Sequence, residues 1–336
     1  MLKVGIAGIG TMGTTHLDAY GKIKGAKVVA VADLFEDRRE GRTLVAGNVK
    51  GQSQGGTDFA SFRKYAEAME MIADPDIDII DICLPTPLHA RYATAALKAG
   101  KHVLTEKPFA LNAREAQTLA KAAAKSDKLL MCAMCMRFWP AWAWLKQAID
   151  KQTYGRVLAA HFRRVTSHPG RSFYLDGDAC GGAILDLHIH DTDFVQHCFG
   201  KPKAVFSRGY SRPTNAIDHV LTHYLYDDVP LVTAEGGWAM TPGFGFQMQY
   251  TVNFERATAV FDNGAPEPLQ LVRNGKSTPV KVKPGMGYQH EIAYFVDCVR
   301  TGRRPEVVDP AGAARSVAIV EAEVRSIRSG RPEQVS

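Results

Sequence analysis

Residues 4–17 read VGIAGIGTMGTTHL. An apolar run ends in Gly8, Gly10 and Gly13, spaced G-x-G-x-x-G, and a helix-like segment follows. Alone, that spacing recurs by chance in glycine-rich turns. Here it follows a buried strand and opens a helix, the context a dinucleotide site requires. Gly8 permits the tight turn, Gly10 lets the backbone approach a pyrophosphate, and Gly13 lets helix and strand pack closely. Ile9, Thr11 and Met12 complete the loop, and the helix N-terminus offers N–H groups to phosphates.

The alternation continues outward. The strand-like runs LKVGIAG, AKVVAVAD, DIIDICL, KHVLT and KLLMCAM are separated by helix-like segments at 14–23, 37–46, 61–72, 88–99 and 113–126. Near-continuous apolar strands alternating with helices predict a parallel sheet covered on both faces. Residues 49–57, rich in Gly, Gln and Ser, read as a loop. Asp33 ends the second run, where a carboxylate can accept both ribose hydroxyls of an adenosine. It can equally cap a helix at LFEDRRE. A carboxylate there would repel a 2′-phosphate, which favours NAD. Arg38 and Arg39, just past Leu34, leave NADP possible.

The 336 residues are 46% hydrophobic and 23% charged, with a formal charge of +6. This supports two domains with cores of their own. The mild basic excess can attract anionic ligands. No basic stripe interleaved with aromatics points to nucleic acid, and no apolar run is long enough to span a bilayer. The chain enters a strand at once, without a signal-peptide layout, so a cytoplasmic protein is expected. Six dispersed cysteines are expected as buried thiols. Cys132 and Cys135 have C-x-x-C spacing in KLLMCAMCMRF, which reads as a strand. Three apart, they would face opposite ways, and no second ligand pair accompanies them, so core positions are expected and not a zinc site.

A second unusual stretch is HVLTEKPFAL, residues 102–111. A buried strand ends in Glu106, Lys107 and Pro108. In open α/β sheets ligands sit beyond the carboxyl ends of the strands, so this tip and CLPTPLHA, with Leu84, Thr86, Pro87 and His89, should face the cofactor. A lysine partly buried beside a cationic nicotinamide would have a lowered pKa and could accept a hydroxyl proton. The alternative is a Glu–Lys surface pair in a turn.

After RFWPAWAWLKQAID, a helix with Pro140 near its start, the rhythm changes. RVLAAHFRRV, KAVFSRGY, HVLTHYLY, LVTAEGGWAM, QMQYTVNFE, ATAVFD, PLQLVR and PVKVK read as strands, with turn signals at Asn263-Gly264 and Asn274-Gly275. They predict a large, mainly antiparallel sheet in a second α/β domain, closed by helices near 289–300 and 310–329. The boundary falls between 1–135 and 136–336.

Within that second domain, CGGAILDLHIHDTDFVQHCFG (180–200) reads as one helix after a glycine pair. Asp186 and His190, four apart, would share a face and form an acid–base dyad. Asp193 and His197 extend the stripe and are expected to be solvated. His188 and His190 have H-x-H spacing, but on a helix they diverge by about 200°, so no metal site is expected.

The dinucleotide turn, Glu106-Lys107-Pro108 and GG-x-x-x-D-x-x-x-H together resemble the Gfo/Idh/MocA family. LPTPLHARYA and MRFWP are similar to family segments after the fourth strand and before the second domain. The resemblance implies an N-terminal Rossmann domain, an α/β domain whose open sheet faces an oligomer partner as a homodimer or homotetramer, and NAD(P)-dependent redox chemistry on a sugar, polyol or related ring compound. It implies that Lys107 orients the reacting hydroxyl and helps move its proton. It gives His190 the acid–base role or a share of it, and has Asp186 orient His190 or bind a hydroxyl. Thr86, Pro87 and His89 would line the nicotinamide side, and Arg137, Arg164 and Tyr288 are further substrate candidates. His188 departs from the family, where many relatives carry Gly. Some members of the family act as glycoside hydrolases or lyases with tightly held NAD, and a non-catalytic NAD-responsive regulator is a further alternative.

Overall fold

Apolar residues on both faces of each early strand leave only one stable arrangement, a parallel sheet buried between helices. The computed structural model describes residues 1–43 and 58–335. From the N-terminus run β1 (Leu2–Ala7), α1 (Thr11–Tyr20), β2 (Ala26–Ala32), α2 (Glu36–Arg39), β3 (Arg63–Tyr65), α3 (Ala68–Ala73), β4 (Ile79–Ile82), α4 (His89–Lys98), β5 (His102–Glu106), α5 (Ala113–Ala124) and β6 (Leu130–Ala133). The strands form one six-stranded sheet in the order β3-β2-β1-β4-β5-β6, paired in parallel throughout. Its order reverses at β1, so the crevice between β1 and β4 is the topological switch point where ligands bind.

Two local expectations change. Segment 61–72 is not one helix: Arg63–Tyr65 pairs with β2 as a short edge strand before α3 begins. An edge strand of three residues is too short to show a period. The KLLMCAMCMRF strand stops at Ala133, and Cys135 opens a 3-10 turn through Phe138. Both cysteines are buried thiols, as expected. The predicted loop at 49–57 and the end of the predicted helix at 37–46 lie outside the described residues.

The chain continues with α6 (Pro140–Asp150), β7 (Val157–Ser167), α7 (Ser172–Leu175), α8 (Gly177–Cys180), α9 (Gly182–Asp186), α10 (Ile189–Phe199), β8 (Ala204–Tyr210), β9 (His219–Leu225), β10 (Leu231–Met240), β11 (Gln247–Phe254), β12 (Thr258–Asp262), β13 (Leu269–Arg273) and β14 (Lys276–Pro279). It ends with α11 (Gly287–Thr301), α12 (Pro310–Ser329) and β15 (Glu333–Gln334). A nine-stranded sheet has the order β14-β13-β12-β11-β7-β10-β9-β8-β15. Among the described residues of this sheet, only β7 and β10 pair in parallel. Asn274 and Gly275 both have positive φ, 53° and 73°, as a two-residue hairpin turn needs. That turn forces Arg273 opposite Lys276. The strand after that turn is therefore 276–279 and not the PVKVK segment.

Two compact units result. One comprises Met1–Phe138 and Gly285–Ala314, the other Trp139–Pro284 and Arg315–Ser336. The sequence-based boundary after residue 135 is close to the first crossing, but the chain returns: residues 285–314 belong with the first unit. There α11 packs on α1 and buries Ile292, Phe295 and Val296. The second unit has an aromatic core. Trp142 meets Tyr250 and Phe261 edge-on at 5.0 and 4.6 Å between centroids, contacts worth about 0.5–1.5 kcal/mol each beyond area burial.

His188 is fully buried in the second unit and lies on β10 at Gly236. A Cβ at Gly236 would fall 2.4 Å from His188 Nδ1 and 2.8 Å from its Cβ. No side-chain rotation relieves the second clash. Gly236→Ala is expected to cost about 1–3 kcal/mol, the range for overpacking, and markedly less when His188 is Gly. Urea unfolding of the two single variants and the double variant measures this coupling.

Candidate active site

The first turn is built by close approach. Gly8 has φ +91°, and a Cβ there would sit 2.6 Å from the Cys83 carbonyl oxygen. A Cβ at Gly13 would lie 1.9 Å from the Gly8 carbonyl oxygen, so only glycine lets α1 start against β1. A Cβ at Gly10 would meet nothing within 4 Å. The backbone there faces open space, as a pyrophosphate requires. No side chain caps α1, and no acidic residue lies in its first turn, so the helix's own first turn sets no charge against an anion.

Asp33, at the tip of β2, is 7% exposed. It does not cap α2, whose N-cap is Phe35. One carboxylate oxygen accepts the Ile9 N–H at 2.8 Å and the other the Phe35 N–H at 2.9 Å. It therefore ties the glycine loop to β2 while keeping lone pairs for a ribose. Leu34 is exposed, Arg38 lies over the Phe35 ring at 4.6 Å, and Arg39 donates to the Asp33 and Leu34 carbonyls. This set fits the adenosine half of a dinucleotide.

Leu84 is half-buried and Pro87 exposed, while Thr86 is buried in a 3-10 turn. His89 differs from its expected place. It is 1% exposed, and its two ring nitrogens face the Pro108 and Leu84 carbonyls at 2.8 and 2.7 Å. Burial pushes its pKa down, against those carbonyls. His89 braces the tip of β4 to the tip of β5.

Glu106 is buried, which removes the surface-pair reading. Its Oε2 accepts the Lys107 backbone N–H at 3.0 Å, and its Oε1 lies 3.0 Å from His16 Nε2. It shapes the strand tip from below. Lys107 is half-buried, and its bond to Pro108 is cis.

Sequence reasoning missed what lies behind this tip. His16 on α1 is fully buried, with Nδ1 2.9 Å from Asp81 Oδ2 on β4. Tyr20, Cys83 and Glu291 complete the cluster. Two signals were available: a charged residue inside the apolar strand DIIDICL, and a histidine one turn beyond the glycine loop. Both are costly to bury unpaired.

In the second unit, the expected single helix is two. Leu187 and His188 both donate to the Ala183 carbonyl, and the chain turns before α10 begins at Ile189. Asp186 and His190, both half-buried, thus lie on either side of a break and not on one helical face. Three successive residues after His190 are then fixed from three directions. Arg164 on β7 pairs with Asp191 at 2.8 and 3.1 Å. Thr192 bonds Tyr224 on β9 and Glu323 on α12. Asp193 accepts from Ser316 on α12 at 2.7 Å. Asp193 is therefore buried and not solvated; His197 is half-buried. His188 turns inward, with Nε2 3.3 Å from the Tyr224 hydroxyl, and His190 is half-buried.

Arg164 is 3% exposed, with its guanidinium on Asp191 and the Met248 sulfur. It supports α10 through Asp191. Arg137, buried in the first unit, donates to the Val307 carbonyl at 2.6 Å. Tyr288 lies half-buried at the start of α11, also in the first unit.

Comparison with known proteins agrees with this geometry. Residues 2–134 match the model of the oxidoreductase family with an NAD-binding Rossmann fold, and residues 142–260 match the GFO/IDH/MocA C-terminal domain. The chain is 30% identical to myo-inositol 2-dehydrogenase of Thermotoga maritima over 62% of this chain and 58% of that one. It is 26% identical to inositol 2-dehydrogenase of Rhodococcus jostii over 98% and 91%. A levoglucosan dehydrogenase solved with NADH and levoglucosan superposes with a TM-score of 0.85 at 21% identity, covering 100% of this chain and 99% of that one. A glycine-built dinucleotide turn, a carboxylate at the tip of β2, a lysine at the tip of β5 and both family domains thus converge: this chain belongs to the Gfo/Idh/MocA oxidoreductase family.

Proposed function

We propose that this chain is an NAD-preferring dehydrogenase that oxidises a secondary alcohol of a sugar, polyol or related ring compound. The observation that carries this reading is one sheet holding both the Gly8–Gly13 turn with Asp33 and, at the carboxyl end of β5, Lys107 on a buried Glu106. Relatives named for inositol and a structural neighbour named for levoglucosan support the substrate class.

Gly8, Ile9, Gly10, Thr11, Met12 and Gly13 would hold the pyrophosphate, and Asp33 the adenosine ribose. Leu34 and Arg38 would flank the adenine end, with Leu84, Thr86 and Pro87 toward the nicotinamide. When bound, the nicotinamide supplies the acceptor for the hydride leaving the alcohol carbon. Lys107 would orient the hydroxyl and take its proton. His190 would share that acid–base work, with Asp186 setting its orientation or binding a neighbouring hydroxyl. Tyr288 and Arg137 remain candidates for substrate contact. We assign the protein to the cytoplasm as a homodimer or homotetramer through the nine-stranded sheet, where Tyr210 and Leu221 are about half exposed, at 50% and 51%.

Incubation with NAD or NADP and a panel of cyclic polyols, anhydrosugars and aldoses tests the activity. Formation of reduced dinucleotide on at least one compound is expected, and an inert panel with intact NAD binding would contradict it. Lys107→Ala and His190→Ala should each lower turnover by about 10²–10⁴-fold, the usual reach of a general acid or base, while NAD still binds. Near-normal turnover in both would remove the role assignment. Asp33→Ser should weaken NAD by at least about tenfold and improve NADP relative to NAD, because a ribose acceptor and a phosphate-repelling charge are lost together. Steady-state kinetics with both dinucleotides measures the switch.

A further inference from the structure

The cluster behind β5 has no role in the chemistry above. It draws on α1, β4, β5 and α11, all within the first unit. His16 and Asp81 are fully buried, and Cys83, just past the end of β4, is half-buried. These three bring one potential metal ligand each within 4.8 Å of one another. His16 Nδ1 lies 3.1 Å from Asp81 Oδ1 and 3.5 Å from Cys83 Sγ, and Cys83 Sγ lies 3.6 Å from Asp81 Oδ1. Around a tetrahedral zinc ion the corresponding edges are about 3.4 Å between nitrogen and oxygen and about 3.6 Å from sulfur to either. Both edges to sulfur match, and the edge between nitrogen and oxygen is slightly short.

A hydrogen bond between imidazole and carboxylate accounts for the shortest of these contacts. It does not account for the surroundings. On α11, Glu291 is fully buried, and neither of its carboxyl oxygens has a hydrogen-bond partner. Its electrostatic neighbours are His16, Glu106 and Asp81, so it faces the same cluster. The buried Tyr20 hydroxyl on α1 and His16 Nε2 also make no hydrogen bond. A buried carboxyl group without a partner is costly, and a cation shared with the neighbouring donors supplies one.

We propose that His16 Nδ1, Asp81 Oδ1 and Cys83 Sγ are three ligands of a structural zinc site, with Glu291 turning in from α11 as the fourth. One nitrogen, one sulfur and two oxygens suit zinc, whereas magnesium and calcium take oxygen ligands. Cys83 releases its thiol proton to solvent on binding. Glu106 Oε1 lies 3.0 Å from His16 Nε2, outside hydrogen-bonding geometry. A small rotation of the imidazole lets it accept the second ring N–H, as carboxylates behind metal-bound histidines do. All four ligands are side chains of this chain, so the ion joins α1 to β4 and α11 beneath the glycine turn and keeps no open position for substrate. The inference does not depend on the dinucleotide reading given above.

The test uses the full chain without an affinity tag, whose own histidines would bind metal. The protein is incubated with zinc chloride, desalted and submitted to elemental analysis. The wild type is expected to retain about one zinc ion per chain, and Cys83→Ser and Asp81→Asn are each expected to lose it on desalting. A wild type without zinc overturns the site. Zinc retained equally by the wild type and both variants is adventitious and overturns it as well. Should the variants not fold, X-ray absorption at the zinc edge of the loaded wild type decides. One sulfur at about 2.3 Å beside nitrogen and oxygen ligands supports the site, and a shell with no sulfur, or with more than one, overturns it.

Discussion

The 1.9 Å between the Gly8 carbonyl oxygen and any Cβ at position 13 is the constraint on which the rest of the site depends. Because only hydrogen fits there, α1 runs hard against β1 and β4. Its uncapped N-terminus faces the crevice where the sheet order reverses. One turn further along, the same helix carries His16 into the interior between β4 and β5. A larger residue at position 13 would move the phosphate-facing amides and the buried imidazole together. The glycine turn thus sets the loop that holds a dinucleotide and the support beneath Lys107.

A comparable economy holds the second unit's candidate residue. His190 sits at the start of a helix that begins after a break, where backbone freedom would otherwise be greatest. Asp191, Thr192 and Asp193 counter that freedom by reaching to β7, β9 and α12 in turn. Buried ion pairs such as Arg164–Asp191 add little net stability, but losing one partner typically costs about 3–5 kcal/mol. Their contribution here is to fix where the helix starts.

Much of this was legible in the sequence. Five apolar runs with helices between them gave the parallel sheet, because strands buried on both faces carry no alternation to misread. The glycine spacing and Asp33 located the nucleotide turn. Asn274-Gly275 marked a hairpin, although its partner strand was read three residues late. What escaped was tertiary in origin. No local pattern says that residues 285–314 return to the first unit, that a widened turn at Ala183 splits the helix between Asp186 and His190, or that Arg164 spends its charge on Asp191. His89 looked like a ligand-facing histidine from its position in the loop, and only the carbonyls of Leu84 and Pro108 reveal it as a brace. His16 and Asp81 were visible as polar residues in apolar surroundings, but their partnership spans α1, β4 and β5.

The central claim is that a dinucleotide held by the first unit receives hydrogen directly from an alcohol carbon. The most direct measurement is isotope transfer from a cyclic polyol deuterated at the carbinol position. Mass spectrometry of the dinucleotide after turnover with NAD⁺ should find one deuterium at C4 of the dihydronicotinamide. Reduced dinucleotide without deuterium, or polyol oxidised with no dinucleotide reduced, would contradict the account.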